Sequence, residues 1–344
     1  AFVTDVLAPE FGAFVLQPEH RFYGESQPVD LDEWHNNKKE GEPDPRIELL
    51  TSEQALLDAM RLLSYTQAKL GCSRDRTDYQ NYCPVITVGG SYPGYLSAMA
   101  RLLYPDRVDM SYAASAPMKF YSQQTADTVY YQHIAKVADE AHAGCSQAVL
   151  GTLTQVTEFY ETEVCYWCNA PQIGICPGTV PSYITYDSTF KDEIYMIVGY
   201  TFANHNMAYY PPSPDSRLVR GCQVFTQDKD AKSKLKQFLV TFLAPSNQEC
   251  LDMRTQVPHG PHATISAGDW SGVGTGRDGA SWDFQTCTLL VETISLTALL
   301  PERNWTLEWM TRHCQERFGV APEPTKLVQQ WHWDDLVTAG ASHI

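Results

Sequence analysis

The sequence predicts an α/β chain with a mostly parallel sheet, interrupted by a helical insertion. Three observations carry this reading. The apolar, β-branched run from Cys83 to Gly90 leads through a tight turn into the helical pattern of Tyr95 to Tyr104. A second strand-like run, Val108 to Pro117, follows that helix, and strand–helix–strand order joins parallel neighbours. From Met118 to about residue 265 the periodicity becomes helical, with irregular loops between the helices.

In chain order, Phe2 to Leu7 reads as the end of a helix and Gly12 to Gln17 as a short buried strand. That strand runs into Pro18-Glu-His-Arg-Phe-Tyr-Gly-Glu-Ser26. Ligand-binding residues gather at strand ends in open α/β sheets, so a Glu-His-Arg cluster here is a candidate site. The plainer alternative is a paired-charge network that fixes the loop, because buried charges need partners. Residues 29–48 are polar and carry two prolines, which marks a surface loop. Ser52 reads as an N-cap for a helix reaching Lys69.

The stretch Gly89-Gly-Ser-Tyr-Pro-Gly94 then places Ser91 on a strand-to-helix turn. Such a turn pushes a serine hydroxyl out of the sheet edge, as in the Gly-x-Ser-x-Gly nucleophile elbow. Gly89 and Gly90 suit a turn too tight for a Cβ. The backbone N–H of Tyr92 would face the same space at a helix N-terminus, where an oxyanion can be held. Pro93 stands at the last glycine position of the pattern, and Gly94 comes one residue later. The plainer alternative for Ser91 is a helix N-cap.

Beyond Pro117, Thr128 to Ala141, Gln147 to Thr162 and Ala231 to Leu243 read as helices of the insertion, a lid over the active edge of the sheet. Gly272-x-Gly-x-Gly276 lacks the preceding strand and following helix that a dinucleotide loop needs. Trp282 opens a stretch read as helical through Leu300, and Thr306 to Phe318 is a helix ended by Gly319. The residues from Leu336 to Ile344 read as the approach to another strand.

Composition excludes several classes. The net charge of −16 opposes binding to nucleic acid or to anionic membrane surfaces. No run of about 18 apolar residues is present to span a membrane. The 10 cysteines lack zinc-finger spacing, so no metal or cofactor is expected and disulfides of the secretory pathway are. Asn304-Trp-Thr306 is a glycosylation sequon, which agrees with that compartment.

Four motifs stand together in order: Glu19-His-Arg-Phe-Tyr-Gly-Glu-Ser26, Gly89-Gly-Ser-Tyr-Pro-Gly94, Ala113-Ala-Ser-Ala-Pro117 and Trp282-Asp-Phe-Gln-Thr-Cys287. In this the chain resembles the serine peptidases grouped with lysosomal Pro-X carboxypeptidase, dipeptidyl-peptidase II and thymus-specific serine protease. The resemblance implies an α/β-hydrolase fold interrupted by a helical cap. Its expected divisions are a first part of the core at 1–117, the cap at 118–280 and a return to the core at 281–344. It implies a Ser-Asp-His triad, a proline-selective exopeptidase activity and a lysosomal, vacuolar or extracellular address. The expected partner is a peptide substrate, with a homodimer left open.

By the resemblance, Ser91 falls on the nucleophile and Tyr92 on the oxyanion-hole N–H. Glu19, His20, Arg21 and Tyr23, with Gly89 and Gly90, support the site. No histidine or aspartate of this chain matches the triad motifs, Asn-Gly-x-x-Asp and Gly-x-His. The expectation is therefore an internal piece, inactive alone, with those residues beyond Ile344. A lipase or esterase on the same fold, or a non-catalytic relative, are the alternatives. Cysteine pairing stays open, with Cys287 to Cys314 among the pairs considered.

Overall fold

The computed structural model describes residues 2–37, 39, 42, 44–161, 166–180, 190–255, 276–303 and 306–344. The chain divides into two compact units. One holds residues 1–30, 45–119 and 326–344; the other holds 31–44 and 120–325.

The first unit is a small α/β layer. Helix α1 (Ser52–Leu70) starts from Thr51, whose side chain accepts the Gln54 N–H, and ends at Gly71 with φ 71°. The N-cap is thus one residue before Ser52. Ser52 is buried, and its hydroxyl is directed to Tyr92 instead. A disulfide between Cys72 and Cys83 closes the polar loop that leads to strand β1 (Ile86–Gly90). After helix α2 (Tyr92–Leu103), strand β2 (Met110–Ala114) pairs parallel with β1, Ile86 opposite Met110 and Gly90 opposite Ala114. Helix α2 lies on one face of this ladder through a hydroxyl cluster. Ser97 Oγ is 3.0 Å from Thr87 Oγ1 and 2.8 Å from Ser111 Oγ.

The strand Ile86–Gly90 is covered on one face: α2 lies over the Thr87 side, while Ile86 is 53% exposed. One expectation fails in this unit. Residues 13–20 form no strand among the described residues, and Phe14 is 64% exposed. An apolar run becomes a strand only where a partner takes its N–H and C=O groups, and this one makes no ladder. At the far end, Ser111 N–H donates to the His343 carbonyl at 2.9 Å, and Arg101 Nε donates to the Ser342 carbonyl at 2.9 Å. The last residues therefore run beside β2 and are assigned no strand.

The second unit is helical. It contains α3 (Val129–Ala141), α4 (Cys145–Glu161), α5 (Lys191–Met207), α6 (Arg217–Thr226), α7 (Ala231–Leu243), α8 (Gly276–Thr286) and α9 (Leu307–Phe318). Side-chain caps explain where three of them begin: Ser216, Asp230 and Thr306 each accept an N–H of the first turn. Helix α5 is buried on all sides over Glu193 to Gly199, so this part of it is central to the core. Phe202 stacks on Phe238 with centroids 5.4 Å apart. Disulfides join Cys145 to Cys222, Cys176 to Cys250 and Cys287 to Cys314.

The stretch from Trp282 to Leu300 is not one helix. Helix α8 stops at Thr286, and tertiary bonds take the backbone beyond it. Gln123 Nε2 donates to the Val291 carbonyl at 2.8 Å, and Ser295 N–H donates to the Asp127 carbonyl at 3.1 Å. Asn304 and residues 271–275 of the glycine-rich run lie outside the described residues.

Charges buried in this unit set its stability. Asp283 on α8 is buried and lies 3.0 Å from His313 Nε2; Arg317 donates to the same carboxylate. His313 and Arg317 are one turn apart on α9 and share a face. Burial would raise the Asp283 carboxyl, but its two partners hold it below the usual range. Replacing Asp283 by Asn is expected to cost about 3–5 kcal/mol, because it strands a buried guanidinium. Urea unfolding of the natural full-length protein checks this.

Glu193 on α5 behaves oppositely. It is 2% exposed, and burial pushes its carboxyl well above the usual range despite Arg303, with Asp192 adding to the rise. Asp192 itself pairs with Arg303 at 3.1 Å. A raised folded pKa stabilises fully below the unfolded value and is lost as pH rises through the folded one. A lowered one, as at Asp283, stabilises above the unfolded value and is lost as pH falls through the folded one. Glu193→Gln is therefore expected to raise the melting temperature at pH 7 and leave it nearly unchanged at pH 4. Thermal melts at the two pH values check this.

Candidate active site

Ser91 sits between β1 and α2 with φ 58° and ψ −131°, a conformation that non-glycine residues rarely hold. It is exposed, and its side chain makes no capping bond to α2. The N-cap alternative therefore fails. The backbone is held from both sides: Ser91 N–H donates to the Ala114 carbonyl at 2.9 Å, and its carbonyl accepts the Tyr95 N–H at 3.0 Å.

The turn is tight because two chain segments nearly touch. A Cβ on Gly89 would lie 2.0 Å from the Pro93 carbonyl oxygen. A Cβ on Gly94 would lie 2.9 Å from the Ala114 oxygen. Gly90 is different, since a Cβ there would meet only the Ala114 oxygen at 3.8 Å, an ordinary contact. Gly94 thus supplies the close helix–strand approach, and Pro93 fits within the first helical turn where its missing N–H is not needed. Ser115 also has positive φ, at 49°, immediately after the carbonyl that holds Ser91.

The Glu19–Ser26 segment is a self-closed turn. Phe22 N–H donates to the Ser26 carbonyl at 2.7 Å, and Phe22 is fully buried. Glu19 remains exposed, and its hydrogen bond with the Ser26 side chain lowers its carboxyl pKa. Arg21 Nε and Nη2 each reach Asp58 Oδ2 at 2.7 Å, and Nη1 donates to the Leu49 carbonyl at 2.9 Å. Tyr23 stands edge-on to the His20 ring, with centroids 5.1 Å apart. His20 Nε2 is 3.1 Å from the Tyr92 hydroxyl. The segment and the elbow are thus brought together through His20 and Tyr92, while Glu19 and Arg21 shape the turn. Ser52 and Asp58 also take part, and sequence reasoning missed both because ordinary helix residues carry no motif.

Among the described residues, one cluster has the donor atoms of a metal site. Asp283, Cys287 and His313 each place a ligand atom within 4.8 Å of the others. Cys287 is bonded to Cys314, so it cannot act as a thiolate, and Arg317 already occupies the carboxylate. The donor set does not suit a metal ion.

A parallel strand–helix–strand layer with a strained, exposed serine at the strand-to-helix turn is the arrangement of a nucleophile elbow. Comparison with known proteins narrows this. The chain belongs to the serine carboxypeptidase S28 family of peptidases, whose model matches residues 3–333. It is 24% identical to the lysosomal Pro-X carboxypeptidase of Homo sapiens over 335 residues, covering 94% of this chain and 61% of that protein. It is 36% identical over 146 residues to the prolyl carboxy peptidase like protein 5 of Caenorhabditis elegans, covering 42% of this chain and 26% of that protein. Over 113 residues it is 37% identical to the thymus-specific serine protease of Homo sapiens, covering 33% of this chain and 19% of that protein. The chain thus spans 61% of the length of the Pro-X carboxypeptidase it matches.

Proposed function

We propose that this chain carries the nucleophile of a proline-selective serine exopeptidase of the secretory or lysosomal compartment. Ser91 attacks the scissile carbonyl and is acylated, the amine leaves, and water releases the acyl group. The Tyr92 N–H supports the oxyanion at the start of α2. In this reading the unit of residues 1–30, 45–119 and 326–344 belongs to an α/β-hydrolase core, and a helical cap drawn from residues 120–325 receives the peptide, a wider cap than the 118–280 expected from the sequence.

The observation that carries the proposal is the strained, exposed and non-capping Ser91. The family membership supports the reaction class, and the named relatives support the proline preference and the compartment. The disulfides among the described residues agree with an oxidising route. Among the described residues, no helix is long and apolar enough to cross a membrane.

Fluorophosphonate labelling of the natural full-length protein, read by peptide mapping, tests the nucleophile. A covalent adduct on Ser91 is expected, together with hydrolysis of a peptide bearing proline next to the cleaved bond. Absence of the adduct, or hydrolysis of fatty esters alone, overturns the proposal.

A further inference from the structure

Tyr92 follows the nucleophile, and its side chain turns inward to only 6% exposure. Its hydroxyl meets His20 Nε2 at 3.1 Å and Ser52 Oγ at 3.4 Å. The direction of these bonds follows from the other ring nitrogen. His20 Nδ1 lies 2.7 Å from the Arg21 carbonyl, which can only accept, so Nδ1 carries the proton. In the neutral ring Nε2 is then an acceptor, and the Tyr92 O–H donates to it. The Tyr92 oxygen is left to accept from Ser52. Arg21, whose carbonyl selects the tautomer, is itself clamped to Asp58 of α1 and to the Leu49 carbonyl.

We propose that His20 is a positioning residue: it accepts the Tyr92 hydroxyl and so fixes the Tyr92 backbone N–H beside Ser91 for the oxyanion. The inference rests on Ser91 being the nucleophile. Two features give such a tether a use. Ser91 holds a strained conformation, and the neighbour that carries the N–H is anchored through its side chain as well as through the backbone bonds around Ser91. An oxyanion donor also acts only when it is held in place before the charge forms. The ring must stay neutral for this role, because imidazolium has no acceptor. The titratable and charged groups around it are Arg21, Asp58, Tyr23 and Tyr92. Burial lowers the His20 pKa, Arg21 lowers it further, and the Arg21 carbonyl and Asp58 oppose that without reversing it. These effects favour the neutral, accepting ring.

The test uses the natural full-length protein and a fluorophosphonate, whose phosphoryl oxygen occupies the oxyanion position. Tyr92→Phe removes one oxygen atom, and His20→Leu removes the acceptor. Each is expected to slow the maximal inactivation rate by about 10–100-fold, with the half-saturating probe concentration changed less than threefold. The double variant should be no slower than the slower single one, since both break the same tether. His20→Gln, which can present an amide oxygen near Nε2, should recover part of the rate. If His20→Leu fails to fold, Tyr92→Phe carries the test. Wild-type labelling at Ser91 with an unchanged rate in Tyr92→Phe overturns this inference alone. Wild-type labelling at another residue overturns the nucleophile assignment instead.

Discussion

Replacing Ser91 by alanine is expected to abolish fluorophosphonate labelling and to lower peptidase activity by on the order of 10⁶-fold. A loss of that size follows when the atom that forms the acyl bond is removed. The same position should show the opposite sign in stability. Ser91 holds φ 58° and ψ −131°, and strain of this kind costs about 1–3 kcal/mol. Ser91→Gly should recover part of it, raising the melting temperature of a protein that no longer reacts. A helix-capping serine gives the reverse pattern. Its loss to alanine costs about 1 kcal/mol and leaves activity intact. The pair Ser91→Ala and Ser91→Gly, each assayed for labelling and for thermal unfolding, separates the two roles. A stable, fully active Ser91→Ala protein would sink the assignment.

What the sequence revealed and what it hid follow from the range of the interactions involved. Helices with local start and stop signals were legible. Asp230 before Ala231 and Thr306 before Leu307 both cap, and Gly319 ends α9 in the left-handed conformation. The elbow was legible for the same reason, because glycines, serine and proline within six residues define it. Elements that depend on distant partners were not. The apolar run at 13–17 looks like a strand, yet a strand exists only with a neighbour. The helical pattern after Trp282 continues on paper to Leu300. Bonds to Gln123 and Asp127, more than 160 residues earlier, end it.

The supporting chemistry shows the same limit. His20 stood out because it lies in a dense cluster, but its partner Tyr92 is 72 positions away. Nothing in the sequence couples the tautomer of one to the backbone of the other. Asp283 likewise looked like part of a motif, and its partners His313 and Arg317 lie about 30 residues further on. A charge can be seen in a sequence, but whether it is paired is a property of the fold.

The second large effect concerns which glycine the elbow needs. The pattern Gly-x-Ser-x-Gly places its last glycine where Pro93 stands, and proline is compatible with the first turn of a helix. The backbone contacts say which of the other glycines the turn requires. Gly89 faces the Pro93 carbonyl, where a Cβ would sit 2.0 Å from oxygen and 2.2 Å from carbon. Both are backbone atoms and cannot swing aside. Gly89→Ala is therefore expected to destabilise by about 3 kcal/mol or more and to eliminate labelling at Ser91. Gly90→Ala, with its nearest atom at 3.8 Å, should fold within about 1 kcal/mol of wild type and retain labelling. Gly94→Ala should fall between them, since its clash with the Ala114 oxygen at 2.9 Å is less severe. Pro93→Gly restores the common pattern but frees the unfolded chain, so it should lose up to about 1 kcal/mol without a gain in rate. Thermal melts and labelling rates for the four variants decide the order. If Gly90→Ala proved as damaging as Gly89→Ala, the turn would be governed by something other than this backbone approach.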